Sequence, residues 1–174
     1  MLRRPCGADA DDLFALDQDP RVMRFLNGGT PTPRAVFEAR NLPAFLSAQE
    51  NKPGRGFWLA HDKTSGSFIG WFCLRGAAEC AELGYRLAFS KWSQGFATEG
   101  SERVLAAGFE IGGVQRVIAQ TYEDNGASRA VLTKLGLTLH RRFRYTQGDL
   151  ESSTTIYSAA KQLWEGDDLS LIHI

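Results

Sequence analysis

The sequence predicts an α/β protein with one mixed, mostly antiparallel sheet of six to seven strands and about four helices packed on it. Two observations lead to this prediction. Residues 57–61, 67–74 and 79–89 read as strands, whereas residues 98–111 repeat their apolar side chains at the helical period. In chain order the elements are strand, helices, three strands, helix, strand, helix and two strands. This order is typical of helices layered on a single sheet.

Helices dominate the first third of the chain, after a short candidate strand. Residues 9–16 predict a short helix with acidic side chains early in it. Asp19-Pro20 and Thr32-Pro33 each place a capping side chain before a proline, the pattern that opens a helix. We expect the helix after Thr32 to run to about residue 49 and to bend at Pro43, which has no amide hydrogen to donate.

The strand over residues 79–89 has two distinct faces. Because successive side chains of a strand point to opposite sides, one face is apolar and carries Ala81, Leu83, Tyr85, Leu87 and Phe89. The other face carries Glu82, Gly84, Arg86 and Ala88. The strand therefore offers one face to a core and the other to polar chemistry.

The second half predicts a helix, a strand, a helix and a hairpin. Asn125 is a capping residue, and the apolar face of its helix is assigned to Ala127, Ala130, Val131 and Leu135. The hairpin turns at residues 147–149.

We expect residues 1–165 to form one domain. Residues 166–174 carry no pattern and predict a disordered tail.

Composition excludes several classes of function. The chain has 174 residues, and its 20 basic and 20 acidic side chains cancel, so it lacks the basic surface of a nucleic-acid-binding protein. Its longest apolar run, residues 68–74, is too short to cross a membrane. The three cysteines are an odd number at irregular spacing, which favours reduced thiols over a disulfide framework. No CxxC or HExxH motif of a metal site occurs. We expect a cytoplasmic monomer or homodimer without nucleic-acid, membrane or metal partners.

Residues 92–99 (WSQGFATE) are interpreted as a phosphate-binding loop. They precede a predicted helix, whose first amides are unpaired and carry partial positive charge. Gly95 and Ala97 would let an anion approach the backbone closely. A glycine needed only for the turn is the alternative, and Glu99 would repel phosphate unless it points away. The GxxxxGK[ST] and GxGxxG motifs of other nucleotide-binding folds are absent.

Three segments, taken in order, resemble the GNAT acetyltransferases, and most closely the RimJ/RimL-type branch. They are residues 82–87 (ELGYRL), residues 92–99, and residues 125–136 with their NGAS and KLG motifs. The resemblance implies the GNAT fold, with strands 4 and 5 splayed apart and acetyl-CoA as cosubstrate. It also implies contacts of acetyl-CoA with Leu87, Ala88, Phe89, Gln94, Gly95, Phe96, Ala97, Thr98 and Asn125.

This chain departs from the family pattern at two positions. Trp92 stands where an arginine or glutamine is common, although tryptophan is familiar in this branch. Leu132 stands where many members carry a tyrosine that acts as the general acid. The second departure puts the source of the leaving-group proton in question.

Glu82 and Ser128 are the candidate catalytic residues. Glu82 matches a glutamate that serves as general base elsewhere in the family, acting here through water; the alternative is a surface carboxylate paired with Arg86. Ser128 matches a serine proposed to protonate the CoA sulfur; the alternative is an ordinary polar residue in the first turn of a helix. Cys80 is a weak candidate for a covalent relay because no His or Asp is placed to activate it.

The predicted function is transfer of an acetyl group from acetyl-CoA to a primary amine by direct attack in a ternary complex. The amine is a protein N-terminus or a small molecule, and the sequence leaves this choice open. A wide groove would favour peptides, whereas a pocket roofed by residues 21–27 and 147–151 would favour small molecules. A catalytically silent acyl-CoA-binding module is the rival prediction, because the usual acid is missing at Leu132.

Overall fold

The computed structural model describes residues 1–47, 51–147 and 150–161. Within these ranges it describes the backbone throughout and every side chain except those of residues 143–153. The predicted tail at 166–174 and part of the turn at 147–149 lie outside the described residues. Within these ranges, none of the helices is long and apolar enough to cross a membrane.

Seven strands form one sheet in the order β1-β2-β3-β4-β5-β7-β6. They are β1 Leu2–Arg3, β2 Gly56–His61, β3 Phe68–Gly76, β4 Ala81–Leu87, β5 Arg116–Tyr122, β6 Thr138–Gln147 and β7 Leu150–Ala160. Only β4 and β5 pair in parallel; the other neighbours are antiparallel. The predicted mixed, mostly antiparallel sheet is confirmed.

Within the described ranges, five helices pack on the sheet. They are α1 Ala10–Leu16, α2 Pro20–Asn27, α3 (the contiguous segments Arg34–Val36, Phe37–Asn41 and Leu42–Leu46), α4 Phe96–Glu110 and α5 Gly126–Lys134. Two of the predicted caps are present, since the Asp19 carboxylate accepts from the Arg21 amide at 2.9 Å and Asn125 Oδ1 accepts from the Ser128 amide at 3.1 Å. Both caps satisfy an amide that the first helical turn leaves unpaired. The predicted Thr32 cap is wrong, because the N-cap of α3 is Pro33 and no described side chain caps this helix.

Helix α3 contains a π-helical turn at Phe37–Asn41, immediately before Pro43. Proline has no amide hydrogen for the carbonyl of Ala39, four residues earlier, and the Leu42 amide bonds back to the Phe37 carbonyl, five residues earlier. The wider turn is how this helix accommodates the proline. The helix ends at Leu46, because Ser47 is extended, which is earlier than the predicted end near residue 49.

Two apolar cores lie on opposite faces of the sheet. One lies beneath α4 and α5, and its members include Phe72, Leu83, Val104 and Leu132. The other lies beneath α1 and α3, and its members include Leu13, Phe37, Phe57 and Cys73. The predicted apolar face of α5 is partly wrong: Ala127 and Ala130 are exposed, whereas Leu132 is buried. Alanine carries too little apolar surface to identify a buried face.

Glycines let α4 lie close to the sheet. A Cβ atom at Gly100 would overlap the Phe72 ring, and one at Gly108 would overlap the Leu74 side chain. Both neighbouring side chains belong to β3 and are buried. This close packing fixes the N-terminus of α4 beside the end of β4.

Candidate active site

The centre of the sheet contains a gap between β4 and β5. The two strands pair only at Ala81↔Val117 and Glu82↔Ile118. Beyond these pairs the strands diverge, although β4 continues to Leu87 and β5 to Tyr122. The backbone edges of β4 and β5 therefore face an open space in which an extended chain could form hydrogen bonds.

The loop from β4 into α4 has the features of an anion-binding site. Ser93 and Gly95 both have positive φ angles, of 59° and 85°, and Gly95 directly precedes the first helical residue, Phe96. Apart from the chain neighbours of Gly95, no heavy atom of the described residues lies within 4 Å of a Cβ placed there, so the space on that side of Gly95 is open. The Glu99 carboxylate lies 3.5 Å from the Arg103 guanidinium, one turn along the helix, and this pairing offsets its charge.

The end of β4 is tied to this loop by a tryptophan. The Trp92 indole Nε1 donates to the Leu87 carbonyl at 2.8 Å. The Ala88 amide donates to the Ile69 carbonyl of β3 at 2.9 Å. Because the N–H and C=O groups of successive strand residues point to opposite edges, those of Leu87 point away from β3 and toward the gap. Phe89 lies beyond the strand, in a 3₁₀ turn. The polar groups that β4 presents at this end of the gap therefore belong to Leu87.

On the α4 and α5 side of the sheet, two hydroxyl groups meet. The Tyr85 hydroxyl lies 3.1 Å from Ser128 Oγ, and the two side chains come from β4 and the first turn of α5. Burial raises the pKa of the Tyr85 phenol, and its hydrogen bond with Ser128 offsets part of that rise. Leu132, one turn beyond Ser128, is only 1% exposed and belongs to the core.

On the α1 and α2 side, β4 presents Glu82 and Arg86. The Arg86 guanidinium forms an ion pair with the buried Asp17 carboxylate at the end of α1 and lies 5.2 Å from the centre of the Trp71 ring. Arg86 therefore pairs with Asp17 and not with Glu82, contrary to the surface-pair alternative. Glu82 is half-buried beside the last pair of the β4–β5 ladder, where the gap begins.

Helix α2 spans the mouth of the gap on this same side. The Arg21 guanidinium lies 3.7 Å from the centre of the Phe89 ring, just beyond β4. The Phe25 ring lies 6.4 Å from the Tyr122 ring at the end of β5, and the helix is kinked at Phe25 (φ −94°, ψ 16°). These contacts, to the turn that follows β4 and to the last residue of β5, place α2 near the ends of both strands.

The cysteines differ in environment. Cys73 is buried, and burial raises its pKa to about 11, which suppresses the thiolate form. Cys80 is half-buried just before β4, and Cys6 is exposed. Among the residues that the structure describes, no group of three or more His, Cys, Asp or Glu side chains could hold a metal ion.

Sequence reasoning missed two residues of this region, Tyr85 and Asp17. The alternation of β4 assigns Tyr85 to the apolar face, and the sequence pattern assigns no structural or catalytic role to Asp17. A buried tyrosine usually needs a partner for its hydroxyl, and that requirement was the available signal. Which partner it finds depends on how α5 docks against β4, and the local sequence pattern does not contain that information.

Comparison with known proteins identifies the fold family. A family model for the acetyltransferase (GNAT) domain matches residues 1–138. The chain is 29% identical over 164 residues to the FsC-acetyl coenzyme A-N(2)-transacetylase of Aspergillus fumigatus, covering 86% of this chain and 68% of that protein.

Solved structures show the same fold. A GNAT-family acetyltransferase from Bacillus anthracis matches with a TM-score of 0.79 at 16% identity, over 92% of this chain and 94% of that one. Spermidine N-acetyltransferase from Vibrio cholerae, in complex with CoA and spermine, matches with a TM-score of 0.76 at 14% identity, over 93% and 95%. Together with the splayed strands and the glycine loop, the family match shows that this chain belongs to the GNAT acetyltransferase family.

Proposed function

We propose that this protein acetylates a primary amine with acetyl-CoA, by direct attack in a ternary complex. The observation that carries the proposal is the gap between β4 and β5, which ends at an open glycine loop and has Glu82 on one side and Tyr85 and Ser128 on the other. The names of its relatives, an N(2)-transacetylase and a spermidine N-acetyltransferase, support amine chemistry.

Acetyl-CoA would enter along β4. Its pyrophosphate would accept hydrogen bonds from the amides of the loop and the first turn of α4, namely Gln94, Gly95, Phe96, Ala97 and Thr98. Its pantetheine arm would follow Leu87, Ala88 and Phe89, where the Leu87 backbone faces the gap, and would approach Asn125 at the start of α5. The open space beside the Cβ position of Gly95, among the described residues other than its chain neighbours, would give the phosphates room.

Glu82 is the proposed general base. An amine is protonated at neutral pH and must lose a proton before its lone pair can attack, and the Glu82 carboxylate would accept that proton through a water molecule. The nitrogen then bonds to the thioester carbon, the C–S bond breaks, and the electron pair leaves with sulfur. Holding both substrates in one gap supplies much of the rate by proximity.

The position of α2 near the ends of β4 and β5 supports a small-molecule amine as the acceptor. Contacts of α2 with Phe89 and Tyr122 would narrow the entrance to the gap, and a peptide N-terminus needs an open groove to enter. The resemblance to the RimJ/RimL-type branch in residues 92–99 and 125–128 supports the second candidate, a protein N-terminus.

The test is an acceptor panel. Acetyl-CoA is incubated with polyamines, amino acids, aminoglycosides and short peptides, and CoA release and the acetylated products are measured for the wild type and for Gly95→Trp. We expect turnover on at least one small amine and a much weaker reaction in the variant. Faster acetylation of peptides than of small amines would show that the acceptor is a protein N-terminus and not a small molecule. Tight acetyl-CoA binding without turnover on any amine would contradict the proposed enzymatic activity and would favour an acyl-CoA-binding module.

A further inference from the structure

Two hydroxyl groups, from β4 and α5, meet on the α4 and α5 side of the sheet, and the sequence pattern does not predict their pairing. Tyr85 Oη and Ser128 Oγ are 3.1 Å apart. The phenol ring packs on the core side of β4, 6.1 Å from the Phe72 ring, and the Ser128 backbone is fixed by the Asn125 cap. Both partners are therefore held in place by other contacts.

The chemistry of the proposed reaction requires a proton at the CoA sulfur. When the C–S bond breaks, CoA leaves as a thiolate, and an ordinary thiol has a pKa of about 8.5. An unperturbed tyrosine phenol has a pKa of about 10, and burial raises the pKa of Tyr85 from its ordinary value. The alkyl hydroxyl of serine is still a far weaker acid than the phenol. Of the two hydroxyl groups, the phenol is the better matched donor.

Leu132, one turn beyond Ser128 on α5, supplies no acidic group and is buried in the core with Leu135 and Leu137. The Tyr85 hydroxyl of β4 instead approaches the first turn of α5. The strand therefore supplies a phenol where this turn of the helix offers no acid.

We infer that Tyr85 protonates the departing CoA thiolate and that Ser128 positions the phenol by donating its own hydrogen bond to the phenol oxygen. The inference rests on the proposed function. In this step the S–H bond forms as the phenol O–H bond breaks. The phenolate is held by the Ser128 hydroxyl and regains its proton from water. Tyr85 is the catalytic residue of the pair, and Ser128 is the positioning residue.

The first experiment compares Tyr85→Phe, Ser128→Ala and the double variant in single-turnover acetyl transfer. Tyr85→Phe should slow transfer about a hundredfold, the usual contribution of a general acid. Ser128→Ala should slow it about three- to tenfold, the worth of one neutral hydrogen bond. The double variant should match Tyr85→Phe. Tyr157→Phe is the matched control, because this buried phenol also has one hydrogen bond, from Arg129 Nε at 3.1 Å.

A fluorinated tyrosine at position 85 changes the pH dependence of the rate only if the phenol donates a proton, and leaves it unchanged if Tyr85 is purely structural. Fluorine makes the phenol more acidic, so the alkaline limb of the rate profile should shift to lower pH. Ser128→Ala slower than Tyr85→Phe, or an unmoved alkaline limb, would overturn the assignment while leaving the acetyltransferase activity established.

A binding measurement separates this inference from the proposed function because it needs no amine. If the phenol donates to sulfur, the thiol of bound CoA should ionise at lower pH in the wild type than in Tyr85→Phe, as read from thiolate absorbance. Equal ionisation in both proteins would contradict the inference. A wild type that binds CoA but acetylates no amine would instead contradict the proposed function and, with it, the catalytic role of Tyr85.

Discussion

Arg86 of β4 and the buried Asp17 carboxylate at the end of α1 form a partly buried ion pair that joins the central strand to the first helical layer. Asp17 also accepts a hydrogen bond from Asn41 Nδ2 at 3.1 Å, so its carboxylate connects α1 and α3 as well as β4. Asp17 is only 3% exposed. Removing one partner of such a pair leaves the other charge buried without compensation.

Asp17→Ala should therefore lower the free energy of unfolding by about 3 kcal/mol or more. Chemical denaturation measures the change. Asp11→Ala is the matched control, because Asp11 pairs with Arg34 at 2.8 Å on an exposed surface, where an ion pair contributes about 1 kcal/mol or less. Equal losses in the two variants would show that Asp17–Arg86 contributes no more than a surface pair.

Replacing Glu82 with glutamine tests the general base. The amide keeps the shape of the side chain but cannot accept the amine proton, so kcat/KM should fall about a hundredfold or more while acetyl-CoA affinity is retained. Glu79→Gln is the control, since Glu79 is exposed just before β4. A loss smaller than about threefold would assign Glu82 a structural role only.

Substitution at Gly95 tests the phosphate loop. Gly95→Trp adds a side chain where we place the phosphates, and acetyl-CoA affinity measured by calorimetry should fall about tenfold or more. Gly113→Trp provides the comparison, because Gly113 also has a positive φ, of 66°, with open space around its Cβ position. Both variants carry a similar backbone strain of about 1–2 kcal/mol. Equal acetyl-CoA affinity in Gly95→Trp and the wild type would exclude the loop from binding.

The Asp9 carboxylate gives stability a defined dependence on pH. Its ion pair with Arg3 and the 2.7 Å hydrogen bond from the Cys6 amide lower its pKa to about 2, against about 3.9 in an unfolded chain. A lowered pKa stabilises the folded state above pH 4, and this contribution, about 2 kcal/mol, is lost as the pH falls toward 2.

Asp9→Asn checks this dependence by urea unfolding at several pH values. The variant should be less stable than the wild type above pH 4, and the difference should close as the pH approaches 2. A difference that stays constant over this interval would show that the Asp9 carboxylate does not titrate between the folded and unfolded states as described.

The strand pattern and the helix caps were predictable because their signals are local. The alternation in β4 separated Glu82 from Tyr85 correctly, and the Asp19 and Asn125 caps form as predicted. The alanines of α5 were misplaced because a methyl group contributes little to burial, and the end of α3 was placed too late.

The pairs that shape the site were not predictable from the sequence. Arg86 and Asp17 are 69 residues apart in sequence, and Tyr85 and Ser128 are 43 apart. Each pair depends on how a helix docks on the sheet. Alternation fixes the face on which a side chain lies, but it does not identify the side chain opposite.

Direct transfer is the central claim, and initial-rate kinetics with both substrates varied test it most directly. The proposal has both substrates bound together, because no histidine adjoins a cysteine in the sequence and burial suppresses the thiolate of Cys73. We predict intersecting double-reciprocal lines and an unmodified protein mass after incubation with acetyl-CoA alone. Parallel lines, together with an acetyl group retained on a cysteine, would contradict the account.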